Sequence, residues 1–187
     1  MPLNCPGINQ DYIAINTPNL NLSGGLSVSV WICPDANPAQ NYSVAVSRQF
    51  GTGSVEQFGL GYNNSNQFFW SVSDSAGTRV MFTAALPTYS VWYHLVGVVQ
   101  GGGVANGSKL YINGVLGNQT TVAGALCDSR LPIIIANNFN GNPGSPSESY
   151  KGQLQDVRVY SRTLPPAEVV TMYANLGVDG IVYGLVG

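Results

Sequence analysis

The acidic side chains are few, and their spacing decides whether this chain could cleave glycosidic bonds. Such cleavage needs two carboxyl groups facing one groove, about 5–5.5 Å apart for retention or about 6.5–9.5 Å for inversion. On one strand this requires acids at i and i+2 or i+4, and neither Glu56, Asp74 nor Asp156 has one there. Asp156 has Arg158 at i+2, which makes a charge pair. The spacing predicts no catalytic residues and a protein that is not an enzyme.

His94 is the single histidine, so any triad or imidazole metal site would have to use it. It lies within an apolar run, on the side that carries Trp92, Val96 and Val98. That setting indicates a packing and hydrogen-bonding residue.

Two groups of residues could contact a sugar through an aromatic surface and neighbouring polar groups. Phe69 points away from the predicted core, on a strand whose other outward residues are glutamine and serine. Tyr160 shares a strand with Asp156 and Arg158 and makes a second polar group. We predict these four as carbohydrate-contact residues, although loops or a partner could equally cover either group.

Short apolar runs separated by Gly, Asn, Ser and Pro recur along the chain, which is typical of an antiparallel sandwich or jelly roll. Ile112-Asn113-Gly114-Val115 predicts a two-residue hairpin, since Asn-Gly accepts the backbone angles of a type I′ turn. The predicted strands lie near residues 11–16, 26–33, 42–50, 55–62, 67–73, 78–83, 91–100, 108–113, 115–121, 131–136 and 152–160.

Residues 151–177 predict one strand followed directly by one amphipathic helix. Alternation along the strand puts Leu154 on the same side as Asp156, Arg158 and Tyr160. The helix has an apolar stripe with the spacing i, i+3, i+4 and i+7, formed by Val169, Met172, Tyr173 and Leu176. The fold class predicted is therefore all-β, a two-sheet jelly-roll sandwich with one short C-terminal helix.

Four segments, in this order and spacing, resemble the laminin-G-like, concanavalin A-like jelly-roll superfamily. They are NLNLSGGLSVSVWICP (19–34), WYHLVGVV (92–99), LYINGVL (110–116) and GQLQDVRVYSRTLPPAEVVTMY (152–173). The resemblance implies two curved sheets stacked face to face, as in lectins, adhesion modules and some glycosidases. It covers residues 11–176, so we predict one domain at 1–177. Residues 178–187 would form a tail that serves as an edge strand or docking segment.

Calcium is the cofactor that the resemblance implies, since relatives of this fold often bind it at a rim of the sandwich. Asp128, Asn137 and Asn138 are the candidate ligands for it, and the alternative is a chain without any cofactor. Gln155 departs from the family, which has the first of two aspartates there. The asparagines alternatively serve turn geometry.

Composition excludes several classes of partner. The 7 Lys+Arg and 9 Asp+Glu are not clustered, so no nucleic acid is expected. No apolar run reaches about 18 residues, so membrane insertion is not expected either. The start, MPLNCPGINQ, shows no signal peptide. Cys5, Cys33 and Cys127 lack the spacing of a zinc site and predict small buried side chains.

These observations predict a non-catalytic recognition or assembly module. The first hypothesis is an exterior structural or decoration protein of a virus or phage particle, because the chain is a single neutral module that starts at an unsecreted Met. Its partners would be other structural proteins at the virion surface. The alternative is an extracellular carbohydrate-binding or adhesion lectin that contacts surface glycans, with or without calcium. A glycoside hydrolase is a remote third, and homo-oligomer formation is left open.

Overall fold

The computed structural model describes residues 1–7, 11–38, 40–49, 56–85, 88–138 and 148–175. Within them lie twelve strands and one helix. The elements are β1 (Leu3–Pro6), β2 (Ile13–Ile15), β3 (Leu26–Pro34), β4 (Tyr42–Gln49), β5 (Glu56–Asn63), β6 (Phe68–Ser73), β7 (Arg79–Ala84), β8 (Tyr93–Val99), β9 (Ser108–Ile112), β10 (Val115–Thr120), β11 (Ile133–Ile135), β12 (Lys151–Tyr160) and α1 (Pro166–Asn175).

The strands form two six-stranded antiparallel sheets. The first sheet has the order β1-β12-β3-β8-β9-β10, and the second has the order β2-β11-β4-β5-β6-β7. This confirms the predicted jelly-roll sandwich, and each predicted strand has a counterpart. Only β1, a four-residue edge strand that contains Pro6, was not predicted from the sequence.

One apolar core fills the space between the sheets, because alternate residues of each strand point inward. Phe58, Leu60, Phe68, Trp70 and Val72 come from the second sheet and meet Val28, Val30 and Leu95 of the first. A side chain at Gly97 would collide with the indole ring of Trp70, so β8 needs glycine where this ring crosses it. The Trp70 Nε1–H donates to Ser108 Oγ over 3.2 Å, which satisfies its one donor inside the core.

Arg48 is a fully buried cation that the sequence did not single out. Its guanidinium donates to the backbone carbonyls of Leu131, Leu20 and Thr17 at 2.8, 3.0 and 3.0 Å. Removal from water lowers the pKa of Arg48. Arg48 therefore ties the chain before β3 and the chain before β11 to strand β4.

The predicted hairpin between β9 and β10 is present. Ile112 pairs with Val115, and Asn113 and Gly114 have φ angles of 52° and 77°, the positive values of a type I′ turn. Asn113 Oδ1 accepts from the backbone N–H of His94, and the Asn113 N–H donates to the His94 carbonyl. The turn is thus fixed to β8 as well as to its own strands.

The predicted alternation along β12 is wrong at one point. The pairing of β12 with β3 shifts between Gln155 and Arg158, and Asp156 has a φ of 51°. This bulge reverses the side-chain alternation, so Leu154 faces the core while Asp156 and Arg158 face outward. Val157 and Val159 pack against the core beyond the bulge.

Helix α1 lies against the outward face of the first sheet. Val169 and Met172 are buried there with Leu164, against Val96 and Val98 of β8. Leu176, the fourth residue of the predicted stripe, and the predicted tail at 178–187 lie outside the described residues. The helix is too short to cross a membrane, and no other helix occurs in the described chain.

Candidate functional site

The outward face of the first sheet, here called the helix-covered face, is centred on Ser29, Trp31 and His94. The Trp31 ring stacks on His94 with 5.1 Å between ring centroids and on Tyr173 of the helix at 5.8 Å. Ser29 Oγ is 2.8 Å from His94 Nε2. Burial, with a smaller contribution from the charge of Arg158, lowers the pKa of His94 to about 4, so the ring is neutral near pH 7. His94 is therefore enclosed by the fold.

The polar group predicted on β12 lies at the margin of this face. Asp156 Oδ1 accepts from Arg158 Nε over 2.7 Å, and the Asp156 side chain is buried. Tyr160 packs against Met172 of the helix, and the Arg162 guanidinium lies 5.4 Å from the Tyr160 ring centroid. Arg158 and Tyr160 are half-buried, so only part of the group is open to solvent.

Phe69 is not the exposed aromatic surface that the sequence suggested. It does point away from the core, but it is only 1% exposed. The Tyr42 ring crosses it edge-on, with 5.3 Å between centroids, and Tyr42 itself is half-buried. The aromatic ring that solvent can reach at this position is therefore that of Tyr42.

The outward face of the second sheet, here called the polar face, is centred on Ser47, Gly59 and Ser71. Neighbouring strands place these three residues side by side. The two described ends of the β11–β12 connection contact this face. Ser47 Oγ donates to the Asn137 carbonyl over 3.0 Å, and the Val44 N–H donates to the Glu148 carbonyl over 3.2 Å. The cover of this face is therefore loop backbone, with amide and carboxylate side chains.

Glu56 is buried under this cover. One of its carboxylate oxygens, Oε1, accepts from Ser71 Oγ and lies 2.8 Å from a guanidinium nitrogen of Arg79. The Arg79 guanidinium also lies 5.6 Å from the centroid of the Tyr42 ring. Glu56 can come this close to the sheet because Gly59 has no side chain; an added Cβ would lie 3.2 Å from Glu56 Oε1.

Asn138 brings a second carboxylate beside Glu56. Its Nδ2 donates to Glu56 Oε2 over 3.2 Å and to Glu148 Oε2 over 2.8 Å. Its Oδ1 accepts from Nε2 of Gln49. We call Gln49, Glu56, Asn138 and Glu148 the carboxylate–amide cluster. The spacing of acidic residues along one strand could not predict this cluster. Glu148 is far from Glu56 in sequence and lies in a loop, and Asn138 links the two.

Two features show that the cluster is incompletely compensated. Burial, and secondarily the charge of Glu56, raises the pKa of Glu148, although the hydrogen bond from Asn138 acts in the opposite direction. Gln49 is only 2% exposed, yet its Oε1 has no hydrogen-bond partner in the described part of the chain. Among the described residues, an acceptor oxygen without a donor and a desolvated carboxylate therefore lie in one network.

The three predicted calcium ligands occupy different settings. Asn138 is within the cluster, and Asn137 is buried beside it, where its Oδ1 accepts from the backbone N–H groups of Asn138 and Glu148 at 2.8 and 3.3 Å. Asp128 instead forms an ion pair with Arg130 at 2.8 Å. Asn138 thus lies within a polar network, and Asp128 has a separate partner.

The cluster has the donor chemistry of a hard-cation site. Ca²⁺ takes six to eight oxygen ligands, including carboxylates and Asn or Gln carbonyls. Glu56, Glu148, Asn138 and Gln49 provide such oxygens, and the network within the described residues does not use Gln49 Oε1. Three or more Asp, Glu, His or Cys side chains do not converge anywhere in the described residues, so amides would have to complete the ligand set.

The chain belongs to the concanavalin A-like lectin/glucanases superfamily. A laminin G-type family model of that description matches residues 7–170, nearly the whole chain. No curated protein matches the chain in sequence.

Solved structures with low sequence identity share the fold. A native heptameric SAP-like pentraxin from Limulus polyphemus superposes with a TM-score of 0.69 at 18% identity, covering 91% of this chain and 80% of that one. The binding domain of Paraclostridial Mosquitocidal Protein 1 gives 0.68 at 18%, covering 97% and 45%. Trypanosoma rangeli sialidase, in complex with 2,3-difluoro-KDN, gives 0.61 at 17%, covering 83% and 23%. The chain thus spans less than half of the latter two, and the likeness establishes the lectin-like fold.

Proposed function

We propose that this chain is a non-catalytic recognition module that binds glycans at the carboxylate–amide cluster with the help of a calcium ion. One observation carries the proposal: a single amide, Asn138, lies between the carboxylates of Glu56 and Glu148, next to a buried Gln49 oxygen that has no hydrogen-bond partner among the described residues. A bound cation would neutralise both carboxylates and use that oxygen. The membership of the lectin-like superfamily supports the same function.

The surroundings of the cluster suit a sugar ligand. Tyr42 presents a half-buried ring near the partly exposed Arg79, which itself contacts Glu56. Aromatic rings bind the apolar faces of sugars, and a few well-placed polar groups fix their orientation. A calcium ion with open coordination positions could bind sugar hydroxyl groups directly.

The arrangement of the two glutamates favours binding over catalysis. A glycosidase needs free space between its two carboxyl groups for the scissile bond. Here the Asn138 amide occupies the space between Glu56 and Glu148, and Ser71 and Arg79 also hold Glu56. A sialidase shares the fold, but these contacts hold both carboxylates to protein groups, and a cation would have to replace the Asn138 N–H donors between them.

The group of Asp156, Arg158 and Tyr160 is a separate and weaker proposal for a glycan contact. Arg158 and Tyr160 are half-buried and could accept a ligand from solvent. Asp156 already pairs with Arg158, so it offers a sugar fewer free acceptors. Asp128 as a calcium ligand would likewise require release of Arg130.

A glycan array in calcium and in chelator, with a thermal melt in each buffer, tests the proposal. We expect calcium to raise the melting temperature and to permit binding to at least one glycan. Glu56→Gln should abolish both effects, whereas Glu168→Gln should not, because Glu168 lies on the helix and pairs with Arg162 at 2.6 Å. A folded wild-type protein that ignores calcium and all glycans would contradict the proposal.

A second candidate is an assembly role, as in an exterior component of a virus or phage particle. Strand β10 supports it, because it is an edge strand of the first sheet with no charged residue. Val115 is 70% and Leu116 42% exposed on it, and exposed apolar edge strands favour association. Light scattering of wild type and of Val115→Lys tests this role. Equal, monomeric masses for both proteins would leave assembly through β10 without support.

A further inference from the structure

Three asparagines at one end of the second sheet form a hydrogen-bonded polar surface, here called the asparagine rim. Asn37 and Asn41 lie in the β3–β4 connection, and Asn64 lies at the start of the β5–β6 connection. All three are exposed. Asp35 is the only charged residue in these two connections, so the rim is an almost uncharged surface.

Hydrogen bonds between the loops hold the rim in one arrangement. The Asn64 Nδ2 donates to Asn41 Oδ1 over 3.2 Å, and the Asn37 Nδ2 donates to the Asn64 carbonyl over 3.3 Å. The Asn64 backbone N–H also donates to the Asn41 carbonyl over 2.9 Å. All three residues are exposed, and these bonds use neither Asn37 Oδ1, nor Asn64 Oδ1, nor the Asn41 side-chain N–H groups, which stay available to a ligand. Side chains fixed before binding lose less entropy when a ligand arrives.

Backbone geometry does not explain why these positions are asparagine. In the same β5–β6 turn, Asn66 has a φ of 61°, and Asn63 Oδ1 accepts from the Gln67 N–H over 3.0 Å, so both serve the turn. None of the three rim residues has a positive φ. Their side chains bond to each other across two loops, which a turn by itself does not require.

The rim is continuous with the carboxylate–amide cluster along the polar face. Tyr42 follows Asn41 directly, and its ring contacts Arg79, which in turn contacts Glu56. Glu56 and Asn63 mark the two ends of β5, so about 23 Å of strand separates the cluster from the rim at about 3.3 Å per residue. A ligand that contacts both must therefore be extended.

We propose that the asparagine rim is a second subsite of the glycan site, which binds an uncharged sugar unit without calcium, so that the chain recognises a linear oligosaccharide rather than a single sugar. This inference rests on the proposed glycan-binding function. Amides offer the paired donors and acceptors that sugar hydroxyl groups match, and the Tyr42 ring lies between the two subsites as an apolar contact.

Isothermal titration in calcium with glucose, N-acetylglucosamine, maltotetraose, cellotetraose and chitotetraose tests the inference. We expect at least one tetrasaccharide to bind about tenfold or more tightly than its monosaccharide. Asn41→Ala and Asn64→Ala should each remove most of that difference and leave monosaccharide and calcium affinities unchanged. Asn19→Ala is the matched control, since Asn19 is exposed in the β2–β3 connection.

The outcomes separate this inference from the proposed function. If tetrasaccharides bind no better than monosaccharides, or none binds, the rim is not a subsite. Calcium-dependent binding of a monosaccharide with no gain from chain length would overturn the rim alone. Length-dependent binding that needs Asn41 and Asn64 but neither calcium nor Glu56 would support the rim and contradict the cation site. Shifts of the rim amide signals in ¹H–¹⁵N NMR spectra on titration give an independent readout of contact.

Discussion

The two outward faces of the sandwich are both covered, one mainly by apolar side chains and the other mainly by polar ones. Helix α1 and the residues just before it cover the first sheet with Leu164, Val169 and Met172, which pack on aliphatic and aromatic side chains. Loop segments cover the second sheet with amides and carboxylates, including Asn138 and Glu148. The first contact is mainly apolar burial, and the second is mainly a hydrogen-bond network.

This difference separates a face held by packing from the face at which we propose binding. Apolar packing gains free energy from burial itself, and it makes up most of the contact between α1 and the first sheet, although Trp31 Nε1 and His94 Nδ1 have no hydrogen-bond partner among the described residues. Burying polar groups costs free energy unless they are fully hydrogen-bonded. Among the described residues Gln49 Oε1 has no donor, and burial raises the pKa of Glu148. We infer that the polar face keeps this cost because it serves binding.

Substitution of Leu164 by alanine gives the largest expected effect and concerns the helix-covered face. Leu164 is buried between α1 and the first sheet, so its truncation should lower the free energy of unfolding by ~3 kcal/mol. Glycan and calcium binding should be unchanged. Urea denaturation provides the measurement, with Val170→Ala, exposed on α1, as a control expected to stay within ~0.5 kcal/mol. Equal losses for both variants would show that α1 does not dock as observed.

The pH dependence of stability should next show the contribution of His94. Its pKa falls from 6.5 to about 4 on folding, because burial and Arg158 disfavour the charged ring. The unfolded chain therefore takes up a proton first as pH falls. The contribution of His94 to the free energy of unfolding is fully present above pH 6.5. It decreases by ~3 kcal/mol as the pH falls from 6.5 to about 4. Urea midpoints across that range should slope less in His94→Gln than in wild type, and parallel curves would contradict this account.

Much of the fold could be predicted from the sequence because it follows from local patterns. The alternation of apolar and polar residues predicted the strands. Asn113-Gly114 predicted a hairpin, because its turn needs two positive φ angles. The bulge at Asp156 was not predictable in this way, since Asp is an unusual residue at positive φ in a strand and nothing in the spacing signals it. The prediction therefore placed Leu154 on the side of Asp156 and Arg158, whereas it faces the core.

The site was harder to predict because its parts are distant in sequence. Asn138 could be named in advance as an oxygen donor within a polar loop, but its carboxylate partners could not be assigned. Glu56 and Glu148 belong to different sheet and loop segments, and only the tertiary fold places both on one amide. Phe69 illustrates the same limit, because strand alternation gives the direction of a side chain and not what covers it.

Asn138→Asp offers a sharper test of the polar face. The change replaces the amide that donates to Glu56 and Glu148 with a third acceptor, so like charges would meet in a buried site. In chelator, the free energy of unfolding near pH 7 should fall by ~2 kcal/mol. Calcium should restore most of it, a rescue that no substitution on the helix-covered face should show. Asn19→Asp is the exposed control, and a loss that calcium does not reverse would argue against a cation at this cluster.

Glu148→Gln gives the smallest expected effect and the most direct contrast between the two faces. Burial raises the pKa of Glu148 above 4.5 on folding, so the folded protein binds this proton more tightly than the unfolded chain. Its stabilising contribution is present below pH 4.5 and is lost as pH rises through the raised pKa, the opposite sign to that of His94. Glutamine keeps an acceptor for Asn138 without the charge, so the variant should gain stability relative to wild type as pH rises from 4.5 toward 7. Calcium should shrink this gain, because a cation favours the ionised carboxylate that only the wild type has.

A difference between the free energies of unfolding of the two proteins that is constant with pH would mean that Glu148 is not desolvated in solution. The polar face would then differ from the helix-covered face in composition alone.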